Sequence, residues 1–407
     1  MTTSKSLIQE IKDSPADDAA KLAYAEFLKS QGNPQGQLIE DQCRIAQLGE
    51  NSPEFTTLKL RIALLSDQVH QKLHDTLGLF IQRPQFEKGL LVGGSILPDQ
   101  FCAHADRFPT TVPFLERIYF GTTHSAFRTN DAQELVRYSA HIAHLKEVGF
   151  CCAHRQFPAP KDCADECLEI LLPHLPSLER LRVPRSEVTE KGTKIIATSQ
   201  VAPQLTHLDL DYNFFGIEAL SNLIQSSKLN SLQKLSLENC SLTPETVRLF
   251  TESTSLAALR RLCLSRNRVG INALWELLDS EALKQLEHLD LRNTRRAFKG
   301  EKKEPYEKDP FLASIQVQFG NKPIDLDEYH YTDEELQEPN RKIEHPNLSV
   351  LVLSDIHDEE LDILLSSLAF TRCKIEVEEE PHLKHEWLSL DARERLAAHN
   401  ASIPPKD

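Results

Sequence analysis

One pattern returns in this chain at a fixed interval. Residues 205–216 read LTHLDLDYNFFG, a Leu-x-Leu alternation that breaks at Asn213, and the same pattern begins at Leu178, Leu205, Leu232, Leu259 and Leu286, each start 27 residues after the last. A period of this length, held through five units, is the signature of an array in which each unit stacks only on its neighbours. Such an array spends its leucines on a shared core, so the sequence points to a surface for binding before it points to a catalytic pocket.

Each unit runs L-x-x-L-x-L-x-x-(N/C/S/T)-x-apolar. Leu208 and Leu210 are two residues apart, so on a strand both face the core, with Leu205 in the layer beneath. At the ninth position the chain leaves the strand, and its backbone groups lose their ladder partners. A side chain that both donates and accepts is suited to that place, which makes Asn213 a structural residue. Ser186, Cys240, Asn267 and Thr294 hold the equivalent positions. The second half of each unit is helical in pattern. Leu220, Leu223 and Ile224 form one apolar stripe, repeated at Leu274, Leu277 and Leu278, while Thr243-Pro244 has the form of an N-cap followed by the first helical residue.

A strand plus a helix in each unit resembles the leucine-rich repeat of the ribonuclease-inhibitor-like type. The resemblance implies an α/β solenoid with a parallel inner sheet and outer helices, curved into a horseshoe. Looser units begin at Leu115 and Leu145, spaced by 30 and 33 residues, another begins at Leu348, and a last strand follows Phe370. Residues from Leu312 fit a strand without a helix before it. Between 297 and 344 the chain is highly charged and reads as a protruding loop or an irregular repeat.

The N-terminal region has a different period. Residues 17–48 carry two helical runs separated by a Gly-Asn-Pro break at 32–34, and a third helical run starts near Thr56. On the first run Leu22, Phe27 and Leu28 are expected to face inward, with Asp17, Asp18 and Lys21 in water. Asp17, Asp18, Leu22, Tyr24, Ala25, Leu28, Gly32, Pro34, Gly36, Ile39 and Gln42 resemble the short helical repeat-companion domain that precedes leucine-rich repeats in planctomycete and myxobacterial proteins. Lys21, Glu26, Phe27 and Asn33 depart from that pattern to residues of similar character. FEKGLL, from Phe86, resembles the entry into such arrays, and a bacterial source is what the likeness implies. The expected organisation is a helical domain over 1–85, a solenoid over 86–377 and a C-terminal cap and tail over 378–407, the two ends covering apolar cross-sections that a solenoid would leave exposed.

Composition bounds the function. A net charge of -15 disfavours nucleic acid or an anionic membrane as the main partner. No run of apolar residues has the length of a signal peptide or membrane span, and the 9 cysteines are scattered, so a cytoplasmic protein with reduced thiols is expected. There is no Gly-rich phosphate loop and no nucleophile elbow. EKGTK at 190–194 lacks glycines ahead of it, and HLKHE at 382–386 lacks metalloprotease spacing. Cys151, Cys152, His154, Cys163 and Cys167 are of metal-ligand type, but their gaps match no familiar zinc module, and cysteine is a routine small core residue. No metal and no cofactor are therefore expected.

The expected function is non-catalytic binding of a protein partner through the concave face. Positions three, five and seven of each unit point outward. Position three carries Arg180, His207, Lys234, Arg261 and His288 in successive units, with Arg117 and Glu147 upstream, and position five supplies Asp209 and Asp290. Two other readings remain open. One is an enzyme or enzyme activator with its chemistry in residues 297–344 or 151–167, and the other is a structural protein that associates with itself.

Overall fold

The computed structural model describes residues 4–49, 52–77, 81–121, 126–153, 163–269, 272–292, 348, 350–354, 373–378 and 390–403. His154, Thr294 and the charged stretch 297–344, with its strand-like residues from Leu312, lie outside this set. The chain divides into two compact units, Met1–Leu237 and Glu238–Asp407.

The first unit opens with helices α1 (Ser4–Asp13), α2 (Asp18–Ser30), α3 (Pro34–Ile45) and α4 (Pro53–Leu77). Asp17 caps α2 by accepting the Ala19 N–H at 2.8 Å. Gly32, at φ +63°, turns the chain out of α2, and Asn33 caps α3 with Pro34 at its first position. Gly36 lets the two helices approach, since a Cβ there would lie 2.5 Å from the Ala25 carbonyl oxygen. Burial on α2 differs from the periodic expectation. Lys21 is buried and Leu22 is exposed, because the Lys21 ammonium donates to the carbonyls of Pro15 and Asp17 and to the Asp18 carboxylate, at 2.6, 3.1 and 3.3 Å. Those acceptors satisfy a charge that an apolar core would reject.

Strands β1 (Gln82–Glu87) and β2 (Leu90–Ile96) form an antiparallel hairpin. Its turn residue Gly89, at φ +75°, lies so close to α3 that a Cβ would be 2.4 Å from the Ile39 Cα. The Gly89 N–H donates to Gln42 Oε1 at 2.7 Å, Gln35 Nε2 donates to the Gly89 carbonyl at 3.2 Å, and Lys88 pairs with Asp18. The residues that carry the companion-domain resemblance thus fasten the helices to the hairpin, and Tyr24, Ala25, Leu28 and Ile39 share one apolar cluster with Leu90 and Val92.

From β2 onward the strands are parallel and follow chain order: β3 (Arg117–Phe120), β4 (Glu147–Phe150), β5 (Arg180–Arg182), β6 (His207–Asp209) and β7 (Lys234–Ser236). Between them run α5 (Pro98–His104), α6 (Thr129–Val136), α7 (Cys163–Leu171), α8 (Glu190–Thr198) and α9 (Ile217–Ile224). Leu181, Leu208 and Leu235 are in register and buried, and Leu220, Leu223 and Ile224 of α9 close the same core. In the earlier units Ile118 and Val148 hold this register, and phenylalanines fill the layer beside them. The rings of Phe101, Phe120, Phe127 and Phe150 succeed one another at 5.4, 6.3 and 4.7 Å. The second unit contains α10 (Pro244–Thr251), β8 (Arg261–Cys263), α11 (Asn272–Asp279), β9 (His288–Asp290), β10 (Val350–Ser354), β11 (Lys374–Glu378) and α12 (Leu390–Ser402), with β8 to β11 parallel and in chain order.

At the strand exits the polar residues are buried. Asn213 Oδ1 accepts the N–H groups of Ser186 and Val188 at 3.1 and 3.0 Å, and its Nδ2 donates to the carbonyls of Val183 and Leu210, both at 2.8 Å. Asn267 does the same in the second unit, accepting from Cys240 and Leu242 and donating to Leu264 and Ser265. Ser186 Oγ accepts the Cys152 N–H at 3.0 Å.

Two outcomes are expected. Asn213→Ala leaves buried backbone groups without partners and should cost on the order of 1–3 kcal/mol in denaturant unfolding; an unchanged midpoint would contradict this role. The hydrogen bond from Lys88 holds the Asp18 carboxyl below its ordinary range. The stability it contributes is present above the unfolded carboxylate range and is lost as pH falls through the lower folded value. The stability gap between the parent and Lys88→Met should therefore shrink in acid, and a gap independent of pH would refute it.

Candidate functional site

The strand face opposite the leucines presents two columns in the first unit. Backbone register aligns Arg117, Glu147, Arg180, His207 and Lys234 in one, and Tyr119, Gly149, Arg182, Asp209 and Ser236 in the next. Alternation along each strand turns both columns away from the core leucines, although Gly149 and Ser236 are themselves buried within this face. In the second unit Arg261 aligns with His288, and Cys263 with Asp290.

The face is ion-paired rather than uniformly basic. Glu147 reaches Arg180 at 3.6 Å and Arg182 at 3.9 Å, and Arg182 Nε donates to Asp209 Oδ2 at 3.1 Å. Partial desolvation opposes the charge of Arg182, an exposed residue, but Asp209 and Glu147 more than offset it and hold the guanidinium above its ordinary value. Upstream, Arg117 pairs with Glu87 at 2.6 Å. Lys234 is the exposed cation of the column and makes no ion pair among the described residues. In the second unit Arg261 is also exposed, whereas Asp290, expected to point outward, is buried because Arg292 covers and grips it at 2.7 Å. Burial holds the His288 imidazole below its ordinary range, against the opposing pull of Asp290.

Tyr119, Gly149 and Arg182 were not singled out from the sequence, although their fifth-position place was readable. A Cβ at Gly149 would lie 2.6 Å from Tyr119 Cδ2, so glycine allows the ring to extend across the neighbouring strand. Beside the strand exits the Arg185 guanidinium stacks 4.3 Å above the Tyr212 ring. The surface therefore offers an aromatic face, a carboxylate–guanidinium chain and one exposed ammonium in sequence across five strands.

A second group lies inside the fold. The Sγ atoms of Cys152, Cys163 and Cys167 are all within 4.8 Å of one another and all three residues are buried. Cys163 begins α7 and its thiol pKa is lowered by hydrogen bonds from Cys152 and Cys167, with Arg128 adding to the effect, while Cys152 is pushed up. Cys151 faces away, its Sγ lying 3.2 Å from the Ala153 carbonyl oxygen. Elsewhere, a cavity of about 110 Å³ lined by Phe101, Phe108, Pro113, His141 and His144 is smaller than the ~300 Å³ at which small-molecule sites begin. No described helix is long and apolar enough to cross a membrane.

No family model matches the chain. A stretch of 105 residues is 35% identical to the Mus musculus protein "NACHT, LRR and PYD domains-containing protein 5", covering 25% of this chain and 9% of that one. The chain thus spans under a tenth of the length of this curated relative. Among solved structures, a Bacteroides fragilis protein from a structural genomics programme shares 15% identity over 50% of this chain and 68% of its own, with a TM-score of 0.37. The tropomodulin C-terminal domain of Caenorhabditis elegans shares 21% over 38% and 92%, with a TM-score of 0.29. The TLR13–ssRNA13 complex shares 15% over 77% and 44%, with a TM-score of 0.33. The local sequence match and the repeat geometry support a leucine-rich-repeat protein.

Proposed function

We propose that this chain is a non-catalytic protein-interaction module and that its partner lies against the outward strand columns of the first unit. The carrying observation is the register that sets Arg180, His207 and Lys234 in one outward column, and Arg182 and Asp209 in the next, while Leu181, Leu208 and Leu235 turn inward. Residues on this face can be exchanged without disturbing the core, which is the physical basis on which repeat surfaces acquire specificity. Fold alone names no partner.

The ion pairs define what such a partner would look like. Glu147 and Asp209 already neutralise much of Arg180 and Arg182, so the attraction for an acidic protein surface concentrates at Lys234. Apolar contact falls to Tyr119. A net charge of -15 opposes nucleic acid as the principal ligand.

Capture from lysate with the parent, Lys234→Glu and the helix-surface control Lys194→Glu tests this reading. The same bound species is expected to bind Lys234→Glu more weakly, on the order of tenfold, and to bind less as salt rises, with Lys194→Glu unaffected. Equal binding by all three folded proteins would remove the strand face from the account. Binding of a single-stranded RNA oligonucleotide in preference to any protein would replace the partner class. Burial lowers the His288 pKa, so any tightening that depends on its protonation would need a lower pH than an ordinary imidazole would.

A further inference from the structure

We propose that Cys152, Cys163 and Cys167 form a binding site for a thiophilic divalent cation of the zinc class. The sequence expectation was metal-free, because gaps of eleven and four residues match no familiar zinc module. Spacing along the chain could not show that a strand exit and a helix start meet at one point in space. Cys163 and Cys167 are four residues apart on α7 and present both sulfurs on one side of the helix. Cys152 comes from the turn after β4, where its N–H is held by Ser186 Oγ at 3.0 Å.

The dimensions suit a metal. Three thiolates on a tetrahedral zinc-class ion at a metal–sulfur distance of ~2.3 Å lie ~3.8 Å apart. The three sulfurs already lie within 4.8 Å of one another, about one ångström from that spacing. Thiolate ligands are soft donors that select zinc-class or copper(I) ions over hard cations.

Charge balance favours the divalent ion. Three thiolates with a divalent cation leave a net single negative charge in a buried place, which needs a compensating cation. Arg128 provides it, its Nη1 donating to the Cys152 carbonyl at 2.6 Å. Cys163 stands at the first position of a nine-residue helix, where the N–H ends of the helix favour its thiolate. Three thiolates with a monovalent ion would leave a second negative charge for which Arg128 has no counterpart.

Binding releases protons from the thiols and involves no redox change. The site joins the turn after β4 to the helix that follows it, so occupancy would fasten one repeat internally and would leave the outward columns untouched.

The test uses the full chain, purified reduced, and titrated without oxygen with cadmium(II) as a spectroscopic substitute and with zinc(II) itself. One equivalent of cadmium per chain should give a thiolate charge-transfer band that zinc displaces, and X-ray absorption of the zinc-loaded parent should show three sulfur ligands. Cys163→Ala and Cys167→Ala should lose the band and Cys102→Ala should keep it, with circular dichroism checking that each is folded. One equivalent of zinc should raise the unfolding midpoint of the parent and of Cys102→Ala only. Absence of a stoichiometric band in the parent, a zinc shell of oxygen and nitrogen, or undiminished binding by folded Cys163→Ala would overturn the proposal. If the cluster variants fail to fold, the ligand count of the parent decides it alone. Tighter stoichiometric binding of copper(I) than of zinc would overturn the divalent assignment.

Discussion

The side-chain amide of Asn213 holds together what the repeat would otherwise pull apart. Parallel strands satisfy each other's backbone only while they run side by side, and each strand here is brief. Where the chain leaves β6, four polar groups from two successive units lie out of reach of water. A single buried asparagine bonds all four, two through oxygen and two through nitrogen. An unpaired buried amide costs far more than a satisfied one returns, so the unit tolerates few residues at that place. Because the bonds run to the preceding unit, the same side chain sets the stacking between units. Leucine register, helix placement and the outward columns follow from it.

The periodic part of the fold was legible because its causes are local. Alternation marks strands and a three-four spacing marks helices, as at Leu208 and Leu210 and at Leu220, Leu223 and Ile224. Lys21 was not legible as a buried residue. Its environment is made by the carbonyls of Pro15 and Asp17, acceptors that no side-chain pattern records. Helix α1 was also passed over, although Leu7 and Ile11 are four apart and both buried. Its segment is only 10 residues long, too brief for its apolar spacing to recur. The outward columns could be placed by counting, but their ion pairing could not. Whether Arg182 meets Asp209 or solvent depends on neighbouring strands 27 residues apart in sequence.

The two candidate sites draw on opposite faces of one construction. Outward positions hold residues whose charges are partly spent on each other, leaving Lys234 and the Tyr119 ring as the distinctive features. Inward positions are ordinarily leucine, yet in the turn after β4 and on α7 they hold three thiols. A soft ion inside a repeat would change the stiffness of that unit and not the chemistry of its surface. The partner-binding reading and the metal reading can therefore stand or fall separately.

The central claim is that the strand face, and not the helical face, meets the partner. Hydrogen–deuterium exchange on the protein alone and with its captured partner tests this most directly, because it resolves one repeat face from the other. Slower exchange is predicted on complex formation in the peptides that carry β5, β6 and β7, with α8 and α9 unchanged. Protection confined to α8 and α9, with the strand peptides unaltered, would contradict the account.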